Sequence, residues 1–166
     1  MQQFAFPFQH TTVNKLPSDV QALIVSATEA TAKAYAPYSH FKVGAAVLLE
    51  DGSVLLGSNH ENAAYPAGVC AERAALSVLD MNDKTHRVKA IAVTYLGGDE
   101  HGKPISPCGI CRQTILEVQQ WQDHPIAVYM CNPDGEVIMI EDAGYLLPFS
   151  FGSEFLSTPA PQSGDL

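Results

Sequence analysis

Basic residues are scarce in this sequence, which has nine lysines and arginines against 18 aspartates and glutamates and a formal net charge of −9. The nine are scattered along the 166 residues rather than gathered in one stretch. A protein that binds a nucleic acid strand usually carries a basic surface, because contacts to phosphates supply much of its affinity. The composition therefore disfavours a polynucleotide partner and favours a small ligand with little or no charge.

Long apolar runs are also missing from the sequence. No stretch approaches the roughly 20 apolar residues that a membrane-spanning helix needs. Residues 1–10 lack the basic start and the apolar run of a secretory signal. We therefore expect no contact with a membrane and a cytoplasmic location.

Cysteine is sparse as well, with four residues in the whole chain. Four cysteines could form two disulfides, but no feature of the sequence points to export. In a cytoplasmic protein a Cys-x-x-Cys pair is more often a metal site or a redox site. The cysteines are therefore candidates for chemistry rather than for structural crosslinks.

The rest of the composition is typical of a globular protein, with 46% hydrophobic and 16% charged residues. The length allows one domain with a substantial core. We expect three parts, which are an N-terminal arm at 1–16, a folded domain at 17–156 and a flexible C-terminal tail at 157–166.

Three phenylalanines alternate within the N-terminal arm, at Phe4, Phe6 and Phe8. Such alternation is typical of a short strand. Pro7 restricts the stretch to a sheet edge or an irregular arm, because proline cannot donate a ladder hydrogen bond. We expect these rings to pack and not to bind a ligand.

Hydrophobic periodicity and turn residues predict the order of the remaining elements. They are a helix from Ser18 to before Pro37, a hairpin of strands 41–50 and 53–57 around Asp51-Gly52, a helix from Cys70 to about Leu79, a strand at 88–95, a loop at 97–104, a helix from Cys108 to near Trp121, and strands at 125–131 and 137–140. Strands alternate with helices in the middle of this order. The sequence therefore predicts an α/β fold in three α/β/α layers, with a mixed sheet of about five strands.

Two short motifs carry the chemistry of the chain, Cys70-Ala71-Glu72 and Pro107-Cys108-Gly109-Ile110-Cys111. Together they supply three thiolates, and a catalytic zinc takes three protein ligands so that its fourth position stays open for water. Glu72 is two residues from Cys70 and can take a proton from that water and pass it on. The combination is the signature of zinc-dependent nucleobase deaminases.

Both cysteine groups fall where we expect a helix to begin, and unpaired backbone N–H groups there favour thiolates. Three thiolates around a divalent zinc leave a net charge of about −1, which weakens the metal as a Lewis acid. A nearby guanidinium would withdraw part of that charge. We expect Arg73 to do so, with Arg112 as a second candidate.

Plainer interpretations of the same residues stay open at this point. The Cys-x-x-Cys pair could be a redox pair, and Glu72 could be a solvated charge on a helix. Cys131 could be a fourth ligand that closes the zinc site and makes it structural, although a small buried residue in a strand is the simpler expectation.

Three further stretches make the chain resemble the small homotetrameric cytidine deaminases. They are Ala36-Pro37-Tyr38-Ser39-His40-Phe41-Lys42-Val43-Gly44-Ala45-Ala46, Gly57-Ser58-Asn59-His60-Glu61-Asn62-Ala63-Ala64-Tyr65 and Leu146-Leu147-Pro148-Phe149-Ser150-Phe151-Gly152. With the zinc motifs, the resemblance covers roughly residues 17–156. It implies a cytidine deaminase-like catalytic domain with one zinc ion per subunit.

The resemblance also implies the reaction and the roles of individual residues. The reaction is hydrolysis of cytidine and deoxycytidine to uridine and deoxyuridine, with release of ammonia, in pyrimidine salvage. It implies that Asn59 and Glu61 bind the ribose hydroxyls and that Phe41 packs on the pyrimidine. It implies that Ala63 and Ala71 contact the base through their backbones. It also implies a homotetramer in which Tyr65 and Phe151 reach the pocket of a neighbouring subunit.

Three other functions remain as alternatives to a nucleoside deaminase. A relative that acts on a modified cytosine nucleoside such as blasticidin S would keep the zinc motifs, but the intact pair of Asn59 and Glu61 favours a plain nucleoside. A non-catalytic zinc module would use all four cysteines. A nucleic-acid-editing deaminase is disfavoured by the net charge of −9.

Overall fold

A computed structural model describes residues 1–97 and 102–156. Its helices and strands are β1 (Gln9–Thr12), α1 (Ser18–Ala30), β2 (Lys42–Leu49), β3 (Val54–Ser58), α2 (Ala71–Leu76), β4 (Val88–Leu96), α3 (Gly109–Gln122), β5 (Ala127–Cys131) and β6 (Glu136–Ile140). The predicted tail at 157–166 and part of the predicted loop at 97–104 lie outside the described residues. Within the described ranges, no helix has the length and apolar character needed to cross a membrane.

The strands form one mixed sheet in the order β1-β6-β5-β4-β2-β3. The pair β4 and β5 is parallel, and the connection between these strands runs through α3. The other neighbouring pairs are antiparallel. The predicted mixed sheet is therefore confirmed, because a crossover helix returns the chain to the start of a parallel neighbour.

The sheet has six strands in the described chain, one more than predicted. The additional strand is β1, which pairs with β6 from Gln9 opposite Met139 to Thr12 opposite Glu136. The alternating phenylalanines before it are not a regular strand. The strand begins after Pro7 and Phe8, where every residue again has an N–H group to donate.

Helices cover both faces of the sheet, as the predicted three layers require. Alternate residues of β2 point to opposite sides, so that Ala46 and Leu48 pack with α1 while Ala45 and Val47 pack on the side of α2 and α3. Gly44 allows α1 to come close, because a Cβ atom there would lie 2.0 Å from the carbonyl oxygen of Ala27.

The helix α2 ends at Leu76, earlier than the predicted end near Leu79. The Ser77 hydroxyl donates to the carbonyl oxygen of Ala74 at 2.8 Å. Such side-chain bonds compete with the helical backbone pattern. The first turn of α2, which carries Glu72 and is capped by Cys70, packs on β3.

A close contact between β3 and α2 fixes that first turn. A Cβ atom on Gly57 would lie 2.1 Å from the carbonyl oxygen of Ala71 and 2.4 Å from the amide nitrogen of Ala75. Only glycine permits strand and helix backbones to approach so closely. The position of the Cys70-Ala71-Glu72 turn therefore depends on the absence of a side chain in β3.

Candidate active site

The three cysteines of the predicted zinc site meet at the beginnings of two helices. Cys70 is the N-cap of α2 and Cys108 is the N-cap of α3, both with extended backbone. Cys111 lies in the first turn of α3 and is buried. The prediction that both cysteine groups lie at helix N-termini, where backbone N–H groups have no helical partner, is confirmed.

The three sulfur atoms are close enough to share one metal ion. Sγ of Cys108 lies 3.7 Å from Sγ of Cys70 and 3.5 Å from Sγ of Cys111, and all three sulfurs lie within 4.8 Å of one another. A tetrahedral zinc with Zn–S bonds of about 2.3 Å separates its sulfur ligands by about 3.8 Å. The donor atoms and their spacing therefore fit a zinc ion with three protein ligands.

The surroundings affect the ionisation of the three thiols differently. Partial burial opposes ionisation of the Cys108 thiol. Hydrogen bonds from the backbone N–H and the thiol of Cys111, and from the thiol of Cys70, outweigh this effect, so the pKa of Cys108 is lowered. Burial is the main cause that raises the pKa of Cys70 and of Cys111, and the nearby carboxylate of Glu72 adds to it. Because zinc binds thiolates, Cys70 and Cys111 must release their protons when the metal binds.

Glu72 is buried beside these cysteines, with 4% of its surface exposed. Burial raises the pKa of its carboxyl group, and a hydrogen bond with the Cys111 thiol acts in the opposite direction. A carboxyl group with a raised pKa takes up and gives back a proton more easily near neutral pH. The alternative that Glu72 is an ordinary solvated helix charge is therefore wrong.

Cys131 lies on the other side of the sheet. It is buried in β5 among apolar residues that pack with α1, including Val20 and Leu23. Burial raises the pKa of its thiol to about 12. The alternative of a structural site closed by four cysteines is therefore wrong, and the close approach of Cys70 to the Cys108–Cys111 pair favours a metal over a redox pair.

A cavity of about 730 Å³ opens over the cysteines and Glu72. Its wall includes Cys70, Cys108, Ala71 and Glu72, together with Asn59, Glu61 and Tyr65. A volume of this size is typical of sites that bind small molecules. The structure thus brings most of the predicted site residues to one cavity.

Asn59 is held by two backbone groups of the chain around the start of β2. Its Oδ1 accepts a hydrogen bond from the Val43 N–H at 2.7 Å, and its Nδ2 donates to the Phe41 carbonyl oxygen at 2.9 Å. A side-chain amide carries two N–H donors, so one donor remains for a ligand. The amide is therefore fixed in place before any ligand binds.

Glu61 is fixed by the loop that follows α1. Its carboxylate accepts hydrogen bonds from the Tyr38 N–H at 2.9 Å, from the Ser39 N–H at 3.3 Å and from the Ser39 hydroxyl. The Ser39 hydroxyl bond is the main cause that lowers the pKa of Glu61, followed by the Tyr38 N–H. The carboxylate therefore stays charged and acts as an acceptor.

Backbone hydrogen bonds on both sides hold the segment that carries Asn59 and Glu61. Tyr35 donates to the Asn59 carbonyl oxygen at 3.0 Å and accepts from the Glu61 N–H at 2.8 Å. His60 exchanges two hydrogen bonds of 2.9 Å with Val69, just before Cys70. The polar residues at 59–61 are thus joined to the metal end of the cavity through main-chain contacts.

Arg73 lines the same cavity as Cys70 and Cys108 and is partly exposed. Over residues 1–97 and 102–156, its guanidinium has neither a hydrogen bond nor an ion pair. It is therefore available to a metal-bound thiolate. A contact of Arg73 with a ligated sulfur stays a prediction.

Arg112 has a different environment from the one predicted. Its guanidinium donates to the Pro107 carbonyl oxygen at 2.8 Å, the Ser106 hydroxyl at 2.8 Å and the Leu146 carbonyl oxygen at 3.0 Å. These partners are oxygens around the cysteine loop and not sulfurs. The contacts show Arg112 anchoring that loop, a function that the sequence alone did not indicate, because the position of Leu146 depends on the tertiary fold.

Of the three aromatic residues expected at the substrate, Tyr65 lines the cavity, whereas Phe41 and Phe151 do not. Phe41 stacks on Tyr95, with ring centroids 5.0 Å apart, and packs against the core. Tyr65 lines the cavity but is 77% exposed, and Phe151 is 57% exposed and stacks on Phe155. Ala63 is exposed, whereas Ala71 is buried in the wall. Contacts of these residues with a substrate stay predictions.

Comparison with known proteins agrees with this site. Residues 17–126 match the family described as the cytidine and deoxycytidylate deaminase zinc-binding region. A cytidine deaminase from Sporosarcina psychrophila is 42% identical over 144 residues, which are 87% of this chain and 99% of the relative.

Solved structures lead to the same family. A crystal structure of cytidine deaminase from Burkholderia pseudomallei superimposes with a TM-score of 0.67 and 44% identity, over 79% of this chain and 98% of that chain. The cytidine deaminase from Mycobacterium tuberculosis gives a TM-score of 0.62 and 35% identity, over 82% of this chain and 99% of that chain. The chain therefore belongs to the cytidine deaminase family.

Proposed function

We propose that this protein hydrolyses cytidine and deoxycytidine to uridine and deoxyuridine and releases ammonia. One observation carries the proposal, namely that a buried carboxyl group, Glu72, shares a cavity with thiols spaced for zinc. Zinc, when bound by Cys70, Cys108 and Cys111, supplies an activated water for attack on the ring carbon that bears the amino group.

Glu72 moves the protons of this reaction. Its carboxylate accepts a proton from the attacking water and donates it to the ring nitrogen next to the reacting carbon. The same group then takes the proton of the hydroxyl now on the ring carbon and passes it to the amino group. The carbon–nitrogen bond breaks as the carbonyl forms, and ammonia leaves. Burial and the resulting rise in the pKa of Glu72 support this role, because a carboxyl group with a raised pKa takes up a proton more readily than an exposed one.

The sugar of the nucleoside binds at the other end of the cavity. Asn59 offers an N–H donor and Glu61 offers a charged acceptor, and both side chains are already fixed by backbone hydrogen bonds. Glu61 is partly exposed, and a substrate without sugar hydroxyls would lose the hydrogen bond to its carboxylate and bind more weakly. These contacts favour a nucleoside over the free base.

The remaining contacts complete the proposed site. Phe41 packs on the pyrimidine, and the backbones of Ala63 and Ala71 bind the base. Arg73 withdraws charge from the zinc thiolates. The exposure of Tyr65 and Phe151, both aromatic, supports a homotetramer in which each reaches a neighbouring pocket. The proposed catalytic domain covers residues 17–156. We place the enzyme in the cytoplasm, where it would act in pyrimidine salvage and would not bind nucleic acid.

The experiment that tests this function is an ultraviolet assay of four substrates, with zinc measured on the same sample. Cytidine and deoxycytidine are expected to be deaminated, and cytosine and CMP are expected to react far more slowly. Removal of zinc with a chelator should abolish the activity and added zinc should restore it. Preference for a nucleotide, or no reaction of cytidine by the zinc-loaded protein, would contradict the proposal.

A further inference from the structure

The chain after β6 runs along α3 toward the metal end of the cavity. Asp142 accepts a hydrogen bond from the Gln119 side chain at 2.6 Å, Leu146 accepts from Arg112 at 3.0 Å, and Phe151 accepts from Gln113 at 3.0 Å. The contact points move from the C-terminal half of α3 to its first turns. We call residues 141–156 the C-terminal segment.

Arg112 connects the C-terminal segment to the wall of the cavity. The guanidinium that donates to Leu146 also donates to Ser106 and Pro107 at 2.8 Å each. Ser106 lines the cavity, and Pro107 directly precedes the metal ligand Cys108. A shift of Leu146 would therefore move or release the donor that holds this wall.

The N-terminal arm packs on the same segment. The Phe6 ring stacks on Tyr145, with centroids 5.7 Å apart and planes at 15°, and Phe4 lies 6.0 Å from Phe6 and 6.3 Å from Phe149. These distances are typical of attractive aromatic pairs. Pairing of β1 with β6 holds the end of the arm, so the rings are carried to this place by the sheet.

The backbone at Phe149 needs such support. Its φ of 56° lies in the left-handed region, which is unfavourable for a bulky residue. The side chain is 98% exposed, so neither the core nor the Phe4 ring, whose centroid lies 6.3 Å away, covers it. The stack of Phe6 on Tyr145 therefore holds the segment just before this strained point.

We propose that Phe4 and Phe6 are positioning residues for the reaction. Their rings hold Tyr145–Phe149 in place along α3, so that Leu146 accepts from Arg112 and Arg112 keeps Ser106–Pro107 in position beside the metal site. The kinetic part of this inference rests on the proposed deaminase function, whereas the structural part does not.

The test compares three variants of the full chain. Phe6→Ala removes the ring that stacks on Tyr145, and Phe6→Tyr keeps a ring there. Phe8→Ala is the matched control, because Phe8 belongs to the same arm, is 63% exposed and has no ring contact within the described residues. Hydrogen–deuterium exchange followed by mass spectrometry, zinc content, kcat and KM are measured for each.

Phe6→Ala is expected to increase amide exchange in peptides that cover 143–149 and 105–108. It should raise KM for cytidine about two- to tenfold, the loss expected for one aromatic pair, with zinc content and kcat little changed. Phe6→Tyr should restore both exchange and KM. Phe8→Ala should match the unmodified protein.

Three results would overturn the inference. These are unchanged exchange at 143–149 in Phe6→Ala, equal effects of Phe6→Ala and Phe8→Ala, or a lower melting temperature with unchanged exchange at 105–108 and unchanged KM. If the unmodified, zinc-loaded protein does not deaminate cytidine, the proposed function is wrong. The hydrogen–deuterium exchange data then decide by themselves whether the N-terminal arm holds Ser106–Pro107 in position.

Discussion

At the scale of single residues, ionisation distinguishes the two carboxyl groups of the cavity. Glu61 accepts hydrogen bonds from Ser39 and Tyr38, which lower its pKa, whereas burial raises the pKa of Glu72. One group is therefore kept charged as an acceptor, and the other is suited to moving protons. The sequence indicated both residues, but it did not show that Ser39 fixes Glu61.

The pKa of Glu61 gives a prediction for pH dependence. A carboxyl group with a lowered pKa stabilises the folded loop at all pH values above its ordinary pKa of 4.5, and this contribution is lost as the pH falls through the lower folded value. Carbon NMR is expected to show a Glu61 titration midpoint below 4.5. Ser39→Ala should move the midpoint upward, and an unchanged midpoint in that variant would show that the hydroxyl has no such effect.

Arg73 gives a second prediction at this scale. Arg73→Ala is expected to remain folded and to bind zinc about 10- to 100-fold more weakly, the usual loss when a residue that supports metal ligands is removed. Competition with a chromophoric chelator measures the affinity. Arg87→Ala is the control, because Arg87 is exposed and comes just before β4. Equal zinc affinity of the two variants would remove Arg73 from the metal site.

At the scale of elements, local patterns predicted what depends on local contacts. The pair Asp51-Gly52 predicted the hairpin of β2 and β3, and Gly52 has the positive φ of 86° that such a turn requires. The N-terminal positions of Cys70 and Cys108 on their helices were also predictable. The partner of β1 was not predictable, because β1 and β6 are far apart in the sequence and no local pattern indicates that they pair.

The contact between β3 and α2 predicts the effect of a single methyl group. Gly57→Ala would place a Cβ atom against the backbone of Ala71 and Ala75, so we expect a loss of stability of about 1–3 kcal/mol and weaker zinc binding as Cys70 shifts. Chemical denaturation and zinc titration measure the two effects.

Gly109→Ala is the control for this change, because a Cβ atom at Gly109 meets no other atom within 4 Å. It should leave stability unchanged or improve it slightly, since alanine favours the helix. Equal stability of Gly57→Ala and the unmodified protein would show that strand and helix can separate without cost.

At the scale of the whole molecule, the sheet brings distant parts of the sequence to one cavity. Residues from 59–61, 70–73 and 105–108 come from separate parts of the chain and line the same cavity, and backbone hydrogen bonds between His60 and Val69 join the first two parts. The sequence predicted the chemistry of each part. It did not predict that Arg112 joins the cysteine loop to the C-terminal segment, because Leu146 is 34 residues away along the chain.

The exposed aromatic residues predict the state of assembly. Tyr65, Phe149 and Phe151 are 77%, 98% and 57% exposed, which is unfavourable for an isolated chain in water. Light scattering coupled to size-exclusion chromatography is expected to give four times the mass of one chain. Phe151→Ala should lower activity while zinc is retained. A monomer with full activity would contradict the shared pockets.

The central claim is that Glu72 moves protons in a cavity where three cysteines hold zinc. The most direct measurement compares uridine formation by Glu72→Gln and by the unmodified protein at equal zinc content. We predict equal zinc and a turnover lower by a factor of about 10² to 10⁴, because the carboxyl group that accepts and returns the proton is gone. Glu117→Gln, an exposed change on α3, should keep full activity. Near-normal turnover by zinc-loaded Glu72→Gln would contradict the account.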